Sequence, residues 1–305
     1  MVQASTALKV VQIVFMLFFM GMCFFPGELL GGYKLDLSCP PASRRAPPCD
    51  EKKNIGFLWF VMSLMGVQML SLCAMNSAMR RDETSKKAQS VACLMNAVTL
   101  LIFLVNDLTY VISADYPASF PKEGVYGNLV LFTGLAAMCF SGWQAAGSVM
   151  PNFGNMIPSG RFGMPLLAGC VNLLFFGLPL TFIRTQFIAM YPAAADQYNE
   201  LTPDLKYFAL WMFGNVGKFI LCNVISSLCV VSTEDKGKED TTFRMLRAHS
   251  VVYMFYCGAM SKDCIINQLN GAVDPMRVMT VVQSFAVSFW QLNTWTSAGF
   301  TLKKA

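Results

Sequence analysis

The chain has 305 residues, of which 55% are hydrophobic and 13% charged, with a formal net charge of +5. Soluble domains carry about 25% charged residues, so this composition excludes a disordered chain, a basic nucleic-acid-binding domain and an ordinary cytosolic enzyme. With a mean hydropathy of +0.48 and no ten-residue alternating strands of the outer-membrane type, it specifies an all-α integral membrane protein.

A helix must run about 20 mostly apolar residues to cross a hydrocarbon layer of roughly 30 Å. Eight stretches qualify. In the first, 8–27, Lys9 precedes an apolar run as in a signal peptide, but no small-x-small cleavage site follows Phe24-Phe25-Pro26-Gly27-Glu28, so it is predicted to stay. In the loop behind it, Cys39 and Cys49 bracket a proline-rich run that includes Pro40, Pro41, Pro47 and Pro48. The topology places this pair on the side that is usually oxidising, and prolines lower the entropy lost on closing the loop, so Cys39 and Cys49 are read as a disulfide. The other nine cysteines fall within spans and are read as small buried hydrophobes. Spans two to four cover 55–79, 88–113 and 126–149, and a connection rich in Pro and Gly, 151–160, stops the fourth. Spans five to eight cover 162–185, 207–232, 247–268 and 277–301. The seventh is the least apolar, interrupted by Ser261-Lys262-Asp263 and Asn267-Gln268.

The two halves resemble each other. Leu58-Trp59 opens span two as Leu210-Trp211 opens span six, and Trp143-x-x-Ala146-Gly147 ends span four as Trp295-x-x-Ala298-Gly299 ends span eight. Leu17-Phe18-Phe19 matches Leu174-Phe175-Phe176, and Asp107 in span three matches Asp263 in span seven. An even number of spans per unit returns the chain to the same side, so the expected architecture is a tandem parallel duplication, with repeats over 1–150 and 151–305. The tryptophans, at outer helix starts and inner helix ends, are read as an aromatic belt.

Lys and Arg set the orientation. With the N-terminus inside, one face collects Lys9, Arg80, Arg81, Lys86, Lys87, Arg161, Lys236, Lys238, Arg244, Arg247, Lys303 and Lys304. Both termini are therefore expected on the cytosolic or equivalent side. The expected partners are membrane lipids and other membrane subunits, and the basic charge needs no nucleic acid. A single histidine, His249, excludes bis-histidine haem and multi-histidine metal sites and is read as an interfacial polar residue. Gly214-x-x-Gly217-Lys218 lacks the Ser or Thr of a phosphate loop and lies within a span. With no nucleophile–base set, no enzyme is expected, and neither a metal site nor a cofactor is legible.

Four ionisable residues remain within spans: Asp107, Lys218, Lys262 and Asp263. A charge in hydrocarbon costs about 2.5–3.5 kcal/mol on insertion scales, so such residues turn inward and find partners. Lys218 lies deepest, among Gly214, Asn215, Gly217 and Asn223. Its stem can snorkel outward, which makes Asp263 its first expected partner and Asp107 the second. Arg184 and Glu28, near outer helix ends, are read as interfacial anchors. The functional expectation is a small-solute or ion transporter whose polar path holds the four intramembrane charges. The alternative is a non-catalytic scaffold or accessory subunit of a larger membrane complex.

Overall fold

In lipid a backbone N–H finds no water, so a spanning segment must bond its own carbonyls and form a helix. The computed structural model describes residues 2–32, 51–81, 84–118, 120–158, 160–233, 238–269 and 275–302. Side chains at 51–55, 193, 238, 260, 262–269 and 299–302 are left out of that description. Every regular element among the described residues is helical. The long helices are α1 (Ala4–Phe24), α3 (Glu51–Met79), α4 (Lys86–Val111), α5 (Lys122–Ala145), α6 (Gly163–Phe182), α9 (Pro203–Ser232), α10 (Lys238–Leu269) and α11 (Pro275–Leu302). Short helices α2 (Pro26–Gly32), α7 (Arg184–Ala189) and α8 (Pro192–Glu200) lie in the connections.

Each predicted span coincides with one long helix. Their starts are written locally: Ser85 caps α4 by accepting a bond from the Ala88 N–H at 3.1 Å. Thr202 caps α9 in the same way ahead of Pro203, whose missing N–H costs nothing in the first turn. All boundaries but one lie within four residues of those expected, and two of the shifts have a local cause. The seventh helix begins at Lys238 rather than 247, because Glu239 in its first turn and the Asp240–Arg244 pair one turn apart carry it beyond the apolar run. The fifth ends at Phe182 rather than 185: past Pro179 the chain breaks at Ile183 and turns into α7 and α8, which hydropathy does not announce.

Six helices are long and apolar enough to cross a membrane: α1, α3 from Gly56, α4, α5, α6 and α9. These make the chain a multi-pass helical protein. Over their described residues, α10 and α11 fall outside that set, α10 carrying Arg244, Arg247 and His249 in its first half.

Within the first half α1 packs on α3, α4 on α5 and α1 on α5. Within the second, α6 packs on α9, α10 on α11 and α6 on α11. The halves join where α4 meets α9, α10 meets α3, and α3 meets α9. An aromatic cluster fills the centre: Phe15 stacks on Phe132 at 6.1 Å and meets Phe219 edge-on at 6.1 Å. The outer surface is apolar, with Leu17, Val130, Phe175, Val282 and Phe289 all exposed, as lipid or protein neighbours would require.

Candidate functional site

The α4–α9 contact between the halves holds the polar centre. Asn106 and Asp107 lie side by side near the end of α4, and both are buried, Asp107 with 3% exposure. An isolated carboxylate would not sit there, and this one is held. The Trp211 indole Nε1 donates to Asp107 Oδ1 at 3.2 Å, and the Asn215 side chain lies close to the same carboxyl group. Asn215 Oδ1 in turn accepts from Asn106 Nδ2. Two adjacent residues of α4 are thus tied to two residues one turn apart on α9, each bond worth about 1–2 kcal/mol at most in a membrane.

Trp211 therefore departs from the belt reading. It is buried, at 2% exposure, whereas its counterpart Trp59 is 45% exposed. The two occupy the same place in their helices and differ in what their indoles meet. Trp143 also turns inward, its Nε1 donating to Val149 O at 2.9 Å across the end of α5.

Arg184, expected as an interfacial anchor, belongs to this centre too. The break after α6 swings it back so that Nη1 donates to the Tyr110 hydroxyl and to Leu210 O, the latter at 2.9 Å. Its guanidinium also stands 5.8 Å from the centroid of the Tyr110 ring. Gly214 makes the room: a Cβ there would stand 2.5 Å from Arg184 Nη1. Because that atom ends a flexible side chain that can find another acceptor, Gly214→Ala should displace the guanidinium at a modest cost of about 0.5–1.5 kcal/mol, the net worth of one intramolecular hydrogen bond. Unfolding in mild detergent measures it.

Lys218 lies one turn deeper on α9, close enough to both Arg184 and Asp107 to feel their charges. Among the described residues it makes no ion pair. The expected pairing with Asp107 is thus a neighbourhood rather than a contact. Lys262 and Asp263 lie in α10, which packs on α3; their side chains, like Cys39 and Cys49, lie outside the described residues. The eight cysteines of the described residues are free thiols.

Below Lys218 the polar residues continue. Asn223, Ser226 and Ser227 of α9 are all buried. Ser227 Oγ and His249 Nε2 are 2.7 Å apart, so His249 is an internal residue and not an interfacial one. Both polar atoms of the Asn223 side chain, and Ser226 Oγ, are buried without a hydrogen-bond partner. From Asn215 to Ser227 the row runs about 18 Å along the helix, more than half the hydrocarbon thickness. Asparagines also pair between α3 and α4, Asn96 Nδ2 donating to Asn76 Oδ1 at 2.7 Å.

The cavity beside Asp107 is small, about 50 Å³. Asn128 and Asn215 line it with five methionines: Met22, Met62, Met65, Met69 and Met212. It has room for a water or a small cation beside one carboxylate. No group of three or more His, Cys, Asp or Glu side chains able to hold a metal occurs among the described residues. Comparison with protein-family models, curated proteins and solved structures finds no match. Function rests on the geometry alone.

Sequence reasoning singled out Asp107 and Lys218 but missed Trp211, Arg184, Tyr110 and Asn106 as their surroundings. The available signal was the adjacent Asn106-Asp107 pair in an apolar run, which marks a helix face turned away from lipid.

Proposed function

We propose that this is an eight-span membrane transporter of protons or small cations, built as two like-oriented four-helix repeats, 1–150 and 151–305, with Asp107 as its ion-binding carboxylate. The observation that carries this reading is the buried polar row of α9, from Asn215 to Ser227, with Asp107 at its head and unpartnered Asn223 and Ser226 within it. Polar atoms left without partners at membrane depth suit a file of water or a passing ion.

The packing supports the duplication. Matching α1, α3, α4 and α5 with α6, α9, α10 and α11 turns each main contact of one half into a contact of the other. It also exchanges the α4–α9 contact with the α10–α3 contact, as a two-fold axis would. Under that correspondence Asp263 takes the sequence place of Asp107, and Trp59 that of Trp211. Lys218 and Lys262 then supply the balancing charges of the path. The basic loops place both termini on the cytosolic or equivalent side, and Cys39 and Cys49 form a disulfide on the opposite one.

The test is ion flux into vesicles reconstituted with the purified full-length protein. Asp107→Asn keeps the size of the side chain and removes its charge, and Lys218→Met removes the neighbouring cation. Each should reduce flux at least tenfold. Flux unchanged in both variants rejects the path.

A second reading, a non-catalytic scaffold of a larger membrane complex, is favoured by the small size of the cavity at Asp107 and by the apolar outer surface. Extraction in mild detergent separates the two. Stoichiometric co-purifying subunits support the scaffold, and a lone species that carries flux supports the transporter.

A further inference from the structure

A second cavity, of about 420 Å³, opens at the end of the bundle where α1 and α10 begin and α3 ends. We propose that it binds the headgroup of an anionic phospholipid whose headgroup also carries a free hydroxyl, as in a glycerol- or inositol-type lipid. Three arginines line it, Arg81 from the end of α3 and Arg244 and Arg247 from the first turns of α10. Asp240 lies on the same wall and neutralises part of that charge, its Oδ2 accepting from Arg244 Nε at 3.1 Å. Three guanidiniums against one carboxylate leave the lining net positive. Planar guanidinium forks match phosphate oxygens in pairs.

Deeper in, the lining turns apolar with Met16, Leu70, Ala74 and Val251. A basic mouth over an apolar floor between helices is the shape that holds a phosphate with its acyl chains attached. Gln12 supplies the third element: it lines the cavity, and its Oε1 is buried with no hydrogen-bond donor. A hydroxyl beside the phosphate satisfies that acceptor, which a choline headgroup has no O–H to do.

The corresponding positions of the other half are not basic. At the spacing that pairs Asp107 with Asp263, Arg244 and Arg247 correspond to Ala88 and Val91, both fully buried. This comparison rests on the duplication proposed above, whereas the cavity and its charges do not. A general excess of basic residues on one face gives no reason for arginines to converge on one cavity while apolar Ala88 and Val91 stand at the corresponding positions.

The experiment measures lipid binding to the full-length protein in neutral detergent, by native mass spectrometry and by thermal stabilisation. The probes are phosphatidylglycerol and phosphatidylcholine of identical acyl chains. Phosphatidylglycerol should bind at least tenfold more tightly. Arg81 and Arg247 are both exposed, so Arg81→Gln with Arg247→Gln removes charge at the surface, at the cost of one contact of Arg247 with the Trp295 ring. It should weaken phosphatidylglycerol about 25-fold, roughly fivefold for each arginine, and leave phosphatidylcholine unchanged. Ala74→Phe, which fills the floor and alters no charge, should weaken phosphatidylglycerol as well. Equal binding of the two lipids, or an unchanged phosphatidylglycerol affinity in both variants, overturns the proposal. Displacement of the lipid by millimolar glycerol phosphate, with no effect of Ala74→Phe, assigns the site to a free anion and overturns it too. Failure here leaves the ion path intact, because neither arginine nor Ala74 belongs to it.

Discussion

Replacing Gly217 by alanine should loosen α6 from α9 and lower stability by about 1–3 kcal/mol, the range for overpacking a close contact. The added Cβ would stand 2.7 Å from the Thr181 backbone nitrogen and 2.8 Å from the Leu180 carbonyl carbon. Both are backbone atoms, so the contact is relieved only if one helix moves as a body. This distinguishes Gly217 from Gly214, three residues earlier on the same helix, where the obstacle is the tip of an arginine. Gly217→Val should be worse than Gly217→Ala, and Gly214→Ala milder than either. Denaturant unfolding in mixed micelles gives the order directly. Equal losses at the two glycines would show that α6 yields as easily as a side chain. Small residues let membrane helices approach closely enough for dispersion to hold them where lipid gives no hydrophobic drive.

Trp211→Ala should be the most damaging single change at the polar centre, at about 3–5 kcal/mol. The side chain is one of the largest fully buried in the protein, and it packs edge-on against Phe208 with ring centroids 6.0 Å apart. Its removal opens a cavity and also takes a donor from a buried carboxylate. Trp211→Phe narrows the change. It keeps one ring, loses the hydrogen bond and leaves a smaller void, so it should cost about 1–3 kcal/mol, between a lone interhelical bond and full truncation. Adding Asp107→Asn to Trp211→Phe should cost less than the sum of the single changes, because the two side chains share one interaction. Additive losses would mean that the indole and the carboxylate stabilise the bundle independently.

The positions of the long helices were legible because lipid imposes a length and a composition on any crossing segment, and both can be read residue by residue. What the helices turn toward each other was less so. Trp59 and Trp211 occupy equivalent places in similar segments, yet one is exposed and the other holds an acid. Belt statistics describe depth in the membrane, and depth says nothing of rotation about the helix axis. Arg184 was misplaced for a related reason. Near the end of an apolar run an arginine reads as an anchor, but the break after Pro179 reverses its direction and brings it to Tyr110. His249 was set at a boundary because charged residues precede it, whereas α10 extends past those charges and carries the histidine inside to Ser227. Asp107 and Lys218 were found because charge within an apolar run is conspicuous. Their amide and aromatic neighbours are ordinary residues whose role depends on a helix from the other half.

The bond between Asp107 and Trp211 joins residues 104 positions apart in the chain. A ribosome adding about 5–20 residues per second therefore delivers the acid roughly 5–20 s before the indole that receives it. Throughout that interval the nascent first half holds a carboxyl group at membrane depth with its later helix still unmade. Biogenesis must shelter it, by keeping it protonated, by leaving α4 near the aqueous side of the insertion machinery, or by a companion protein that yields its place when α9 arrives.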